Sequence, residues 1–161
     1  MTNYKNLPLA LFHSLRDNFF TDVITDYGRP EPIRMKGWTV LVLALFLSRK
    51  IRTYECSRIG LALPPGVAGV LGNLAVLFAG KTPVNLNLTV SKDSMISSLH
   101  EAEIEVMLSA EKVRSKFPEF PWADHFIDLG DWLAVEKNKK RPILFLALQL
   151  LCFSRAVLKE F

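Results

Sequence analysis

Residues 61 to 87 read Leu61-Ala-Leu-Pro-Pro-Gly-Val-Ala-Gly-Val-Leu-Gly-Asn-Leu-Ala-Val-Leu-Phe-Ala-Gly-Lys-Thr-Pro-Val-Asn-Leu-Asn87. An apolar run beginning near Arg58 stops at the double proline, which supports neither a continuing strand ladder nor an immediate helix. From Gly66 to Gly80 the residues are small or apolar throughout, as in a helix buried against neighbours. Thr82 to Leu86 then has strand composition. A strand, a helix and a second strand in this order predict a βαβ crossover, the connection that parallel strands require. Glycine inside a helix costs roughly 1 kcal/mol relative to alanine, so Gly69 and Gly72, with Ala75, predict close approach of a neighbour.

The same alternation extends in both directions. Upstream, Leu7 to Asn18 carries Leu7, Leu11, Phe12 and Leu15 at helical spacing. Phe20 to Tyr27 and Pro32 to Met35 read as two strands of a hairpin around Gly28-Arg-Pro30. Lys36 to Arg52 is apolar on every side, with its basic residues at the carboxyl end, where they complement the helix dipole. This pattern predicts a buried helix. Downstream, Ser91-Lys-Asp93 caps a helix reaching about Glu103, and Ile104 to Leu108 is a further strand. A short helix is expected over Ala110 to Phe117, a short strand over His125-Phe-Ile-Asp128, and a helical turn from Gly130 to Val135. The predicted fold class is therefore α/β: a mostly parallel sheet with helices on both faces, in three layers. The expected organisation is an α/β lobe over residues 1 to 136, followed by a basic linker and an apolar C-terminal helix over 137 to 161.

Composition bounds the function. The chain has 161 residues, half of them hydrophobic and 11 of them Phe, enough for one domain with a single core. Its apolar excess leaves surface for a partner, a further domain or a lipid headgroup layer. The net charge of +4 is spread among acids except at Arg49 to Arg52 and Lys137 to Arg141. No aromatic residues interleave with a basic stripe, which argues against nucleic acid as a partner. The two cysteines, Cys56 and Cys152, fit neither a disulfide framework nor a zinc spacing. Met1 to Asn6 lacks the pattern of a signal peptide, so the expected location is cytoplasmic.

Motifs in the chain admit functional and purely structural readings. Ala75-Val-Leu-Phe-Ala-Gly-Lys-Thr82 imitates a phosphate loop with Ala in place of the first Gly. A true phosphate loop runs strand, loop, helix, whereas this one runs helix, turn, strand, so its N–H groups would not converge on a phosphate. Gly80 is better read as a helix C-cap, with Lys81 near the negative end of the dipole. Pro64, Pro65 and Gly66 lie where crevices of open α/β sheets form, although proline can equally set the turn and start the helix. Asn85 and Asn87, at the end of a predicted strand, are placed to contact a substrate or adjoining lobe, or to satisfy their own backbone. Asp124, Asp128 and Asp131, with His125, match no metal-ligand spacing and suit a solvated loop with a helix cap. No metal site is expected.

At the C-terminal end, Lys137, Lys139, Lys140 and Arg141 precede the apolar stretch Ile143 to Phe153. As a helix that stretch spans about 16 Å, against roughly 30 Å of bilayer core, so it does not cross a membrane by itself. It suits either packing on another lobe or contact with an anionic leaflet through the basic residues together with Phe145 and Phe153.

Three motifs together resemble a known pattern. These are Leu63-Pro-Pro-Gly-Val-Ala-Gly-Val, the following Asn73-Leu-Ala-Val-Leu, and Ala79-Gly-Lys-Thr-Pro-Val-Asn-Leu-Asn87. With the helix and strand of Ser91 to Ser109, they are similar to the N-terminal lobe of bacterial acyl–acyl carrier protein synthetases and long-chain fatty acid ligases. Those enzymes belong to the adenylate-forming, AMP-binding superfamily, and the domain also occurs fused to a 2-acylglycerophosphoethanolamine acyltransferase. The resemblance covers roughly residues 20 to 160.

It implies a truncated adenylate-forming lobe from an enzyme of lipid metabolism and phospholipid recycling. The whole enzyme would use ATP and magnesium, with acyl carrier protein as a partner. It also exposes absences. The Gly-rich S-G-T-T-G-x-P-K-G loop, the acidic residue that binds ribose and the catalytic lysine have no counterpart in this chain. The acyltransferase signature H-x-x-x-x-D is not matched, since His13, His100 and His125 are followed five positions on by Asn18, Glu105 and Gly130. No catalytic or cofactor-binding residue carries over, and no cofactor is expected for the chain alone. The expectation is a fragment not competent alone, whose partners are the remaining lobes of the synthetase. The alternative is a non-catalytic interaction or membrane-peripheral protein built on the same lobe.

Overall fold

The computed structural model describes residues 6–28 and 30–132. It begins with helix α1 (Leu7–Asp17), the hairpin strands β1 (Asp22–Asp26) and β2 (Ile33–Lys36), and helix α2 (Gly37–Ile51). Then follow β3 (Arg58–Leu61), α3 (Val67–Phe78), β4 (Thr82–Asn85), α4 (Lys92–Glu101), β5 (Val106–Ser109), α5 (Glu111–Arg114) and β6 (His125–Asp128). β1 and β2 pair antiparallel by themselves, while a second sheet has the order β4-β3-β5-β6 with every pair parallel. The expected α/β class, parallel sheet and βαβ crossover are all present. The strand predicted to Leu63 stops at Leu61, although the Ala62 N–H still donates to the Leu108 carbonyl at 3.1 Å before the prolines turn the chain away.

Alternation along the strands divides the core. Ile59 and Leu61 of β3, Val106 and Leu108 of β5 and Ile127 of β6 share one sheet face and pack beneath Leu47 and Ile51 of α2 and Ala75 and Val76 of α3. Above them α1, α2 and α3 form a continuous apolar layer through Phe12, Leu41, Leu45, Leu74 and Phe78. That is why α2 is apolar on every side: one part of its surface meets the sheet and the rest meets other helices. On the opposite sheet face Met107 and Leu86 are covered by Met95 of α4, with Ile104, Phe120 and Trp122 around them. The close approach expected at the helix glycines is found. A Cβ at Gly72 would lie 2.8 Å from Leu63 Cδ1, and one at Gly69 would lie 2.9 Å from the Pro64 carbonyl oxygen.

The helix ends follow ordinary capping chemistry. Asn6 caps α1 through the Leu9 N–H at 2.9 Å, and Ser91 caps α4 through the Ser94 N–H at 3.3 Å. α3 closes in a Schellman motif: Gly80 has φ +76°, its N–H donates to the Leu77 carbonyl and that of Lys81 donates to Val76. Among the described residues no helix is long and apolar enough to cross a membrane. The basic linker and the apolar segment over 137 to 161 lie outside the described residues.

Candidate functional site

The order β4-β3-β5-β6 contains a reversal. From β3 the chain crosses through α3 to β4 on one side, then returns through α4 to β5 on the other. Ligands of open α/β sheets bind beyond the carboxyl ends of strands at such a reversal. Here the ends of β3 and β5 are stitched together, because the buried Ser109 hydroxyl donates to the Ala62 carbonyl. The open space lies beside them. A groove of about 600 Å³ runs between the Leu63 to Gly66 turn, the face of α3 carrying Gly69, Val70, Asn73 and Leu77, Leu11 of α1 and Asn85 of β4.

Pro64, Pro65, Gly66 and Asn85 are thus brought together around one groove, and Asn87 is not part of its lining. Asn87 closes an Asx turn, its Oδ1 accepting from the Thr89 N–H at 3.0 Å and the Thr89 hydroxyl at 2.8 Å. Asn85 neither faces the groove alone nor bonds its own backbone. Its side-chain amide exchanges two hydrogen bonds with that of Asn73, each 3.0 Å, and Asn73 Nδ2 also donates to the Gly69 carbonyl at 2.9 Å. Asn73 escapes the sequence reading as a site residue. The available signal was an amide inside an otherwise apolar helix, where an unpaired polar group would be costly. The prolines also differ from the simple turn-and-helix-start reading, since α3 begins at Val67 with Gly66 as its N-cap, so neither proline occupies the first helical position.

The two places that resemble phosphate sites are both filled from within the protein. At the amino end of α3 the Val67 N–H donates to Asp26 Oδ2 at 3.0 Å, so a carboxylate already sits where a phosphate would be attracted. Lys81 follows the last turn of α3, its N–H bonded to the Val76 carbonyl, but its charge has other partners. Its ammonium donates to the Tyr54 and Cys56 carbonyls at 2.6 Å each, tying the turn after α3 to the loop between α2 and β3. The end of α3 is instead met by Arg52, which donates to the Phe78 carbonyl at 2.6 Å. Burial pushes the Cys56 thiol up from its ordinary range, and the nearby Lys81 charge partly offsets this. At both places the donors are thus taken by the protein's own oxygens.

The acidic segment is likewise occupied by backbone. Asp128 accepts from the Gly130 N–H at 2.6 Å, the Asp131 N–H at 3.3 Å and, through its second oxygen, the Glu111 N–H at 3.0 Å. Among the described residues no group of three or more His, Cys, Asp or Glu side chains is arranged to hold a metal ion. Lys137, Lys139, Lys140, Arg141, Phe145 and Phe153 lie outside the described residues. The groove, built from aliphatic side chains and one amide pair, is suited to packing against an apolar group. Its described lining offers no nucleophile with a neighbouring base.

No protein-family profile and no curated protein matches the chain. Solved structures do match. A nonribosomal peptide synthetase, FmoA3 in an AMPPNP-bound form, superposes with a TM-score of 0.65 at 13% identity over 75% of this chain and 13% of its own. The fatty acid AMP ligase from Legionella pneumophila gives 0.61 at 16% identity over 75% and 23%. The anthranilate CoA ligase AuaEII, in complex with anthranoyl-AMP, gives 0.65 at 14% identity over 83% and 28%. The chain thus spans from 13% to 28% of the length of these enzymes. At such identities the likeness is one of fold. Over about three-quarters of its length, this chain shares its α/β fold with part of these enzymes.

Proposed function

We propose that the chain is the N-terminal part of a fatty-acid-activating ligase, an acyl–acyl carrier protein or acyl-CoA synthetase of lipid metabolism, and that alone it makes no acyl-adenylate. The observation that carries this reading is the parallel β4-β3-β5-β6 sheet, a fold matched by the Legionella fatty acid AMP ligase among others. The Pro64-Pro65-Gly66 turn and the Ala79 to Asn87 return strand, whose sequences resemble the synthetase pattern, line or adjoin this groove. In this reading the groove and the amide pair Asn73–Asn85 form a scaffold wall against a neighbouring lobe, with Asn87 beside it. ATP and magnesium would be held by the remaining lobes, and acyl carrier protein would meet the assembled enzyme. Support for inactivity comes from the missing Gly-rich loop together with the internally filled positions at Val67 and Lys81.

ATP–pyrophosphate exchange with purified chain and long-chain fatty acids tests the reading. Background rates are expected, and robust fatty-acid-dependent exchange would overturn it. The sequence of residues 137 to 161 favours a second reading, a non-catalytic protein peripheral to the inner face of a membrane. Co-sedimentation with anionic vesicles, with and without residues 137 to 161, separates the two. Salt-sensitive binding that depends on that segment supports the second and not the first.

A further inference from the structure

The hairpin and the four-stranded sheet share no strand pairing, yet one side chain joins the hairpin to the helix that follows β3. Asp26 ends β1. Its Oδ1 accepts from the Gly28 N–H at 2.8 Å, within the hairpin, while Oδ2 accepts from the Val67 N–H at 3.0 Å, at the start of α3. The local sequence offers α3 no cap of its own: Gly66 occupies the N-cap without a side chain, and the two residues before it are prolines. Gly66 has φ +119°, and a Cβ there would collide with Asp26 Oδ2. The carboxylate thus fits both the glycine and the Val67 N–H, the latter 41 positions away in sequence. Pro64, Pro65 and Gly66 are also the lip of the apolar groove.

We propose that Asp26 is an internal strap that couples the hairpin to the lip of the groove. With the carboxylate seated, the Pro64 to Gly66 turn is fixed and the hairpin is held against α3. With it displaced, lip and hairpin loosen together while the sheet beneath stays closed. Hydrogen bonds from backbone N–H groups to a carboxylate are stronger than neutral ones, and the amino end of a helix favours negative charge. The sheet does not depend on this contact, because β3 is paired on both sides, with β4 and β5. The inference goes beyond the ligase reading and stands or falls separately from it.

Amide hydrogen exchange on the full 161-residue chain tests the strap through three groups of amides. These are the first turn of α3 at Val67, the hairpin ladder around Thr25 and Arg34, and the sheet interior at Gly60 and Leu108. Gly66→Ala alters only the lip, and its methyl should expel the carboxylate. The expected result is loss of protection by about fivefold or more in the hairpin ladder as well as at Val67, with Gly60 and Leu108 within about twofold. Asp26→Ala alters only the hairpin side and should give the same pattern, with Asp26→Asn intermediate. A response confined to the mutated side in either variant would overturn the proposal. So would a uniform loss in all three groups, which would make the contact a general stability element.

Discussion

The two faces of the parallel sheet are covered by different means. On one face α2 and α3 lie side by side, burying Leu41, Leu45, Leu47, Leu71, Ala75 and Phe78 among others in a layer that α1 closes from outside. On the other face α4 buries only Met95, and the rest of the cover is an irregular segment, Phe117 to Ala123, whose Phe120 and Trp122 rings meet at a tilt of 52° with centroids 4.7 Å apart. The first face is helical packing and therefore dense and cooperative. The second is held by a few large side chains over Met107. The contrast teaches that a doubly wound sheet needs both faces shielded from water but not equally, and that a loop with two aromatic rings can substitute for most of a helix.

Substitutions on the two faces should break or sharpen this contrast. The largest effect is expected for Leu45→Ala, which empties a fully buried position between helices. A loss of about 3 to 4 kcal/mol in a urea titration is expected. Met95→Ala, on the sparse face, should lose about 2 kcal/mol because neighbouring Ile104, Leu99 and Phe120 are only partly buried and can close on the gap. Equal losses at the two sites would show the faces to be equivalent after all.

Lys81→Met removes two hydrogen bonds that hold the loop before β3, with an expected loss of about 1 to 2 kcal/mol. It also has a signature of its own. Because burial raises the Cys56 thiol while Lys81 lowers it, less thiolate is present than in an unfolded chain at about pH 8, and alkylation is correspondingly slow. Removing the lysine charge should slow alkylation of Cys56 further. A faster reaction would mean that the loop has opened instead. The smallest effect is expected for Arg58→Ala. Its 2.6 Å contact with Glu103 is largely open to solvent, and a change of about 0.5 kcal/mol or less is expected, diminishing with added salt.

Much of the fold was legible because its signals are local. The double proline turns the chain away soon after β3, the Gly80-Lys81 pair ends α3, and alternation or 3.6-residue spacing marks most of the remaining elements. The site was less legible. Pro64, Pro65, Gly66 and Asn85 do share a groove, but Asn73, which pairs with Asn85, gave no sign beyond its polarity within an apolar helix. Lys81 followed the dipole argument only in position along the chain. Its ammonium found two carbonyls in a loop more than twenty residues earlier, and Arg52 took the place at the helix end. A long flexible side chain goes to the best acceptors within reach, and which acceptors are within reach is a matter of packing.

By itself the sequence determined the order of strands and helices, the parallel crossover and the absence from these 161 residues of a Gly-rich phosphate loop. All three rest on backbone preferences and spacing that act over a few residues. Only the tertiary structure decided that the amino end of α3 is filled by Asp26, that Asn73 and Asn85 pair, and that the two sheet faces differ in their cover. Those outcomes join residues far apart in the chain. They follow from which unsatisfied donors and apolar surfaces folding brings within contact distance, and short-range pattern carries no record of that.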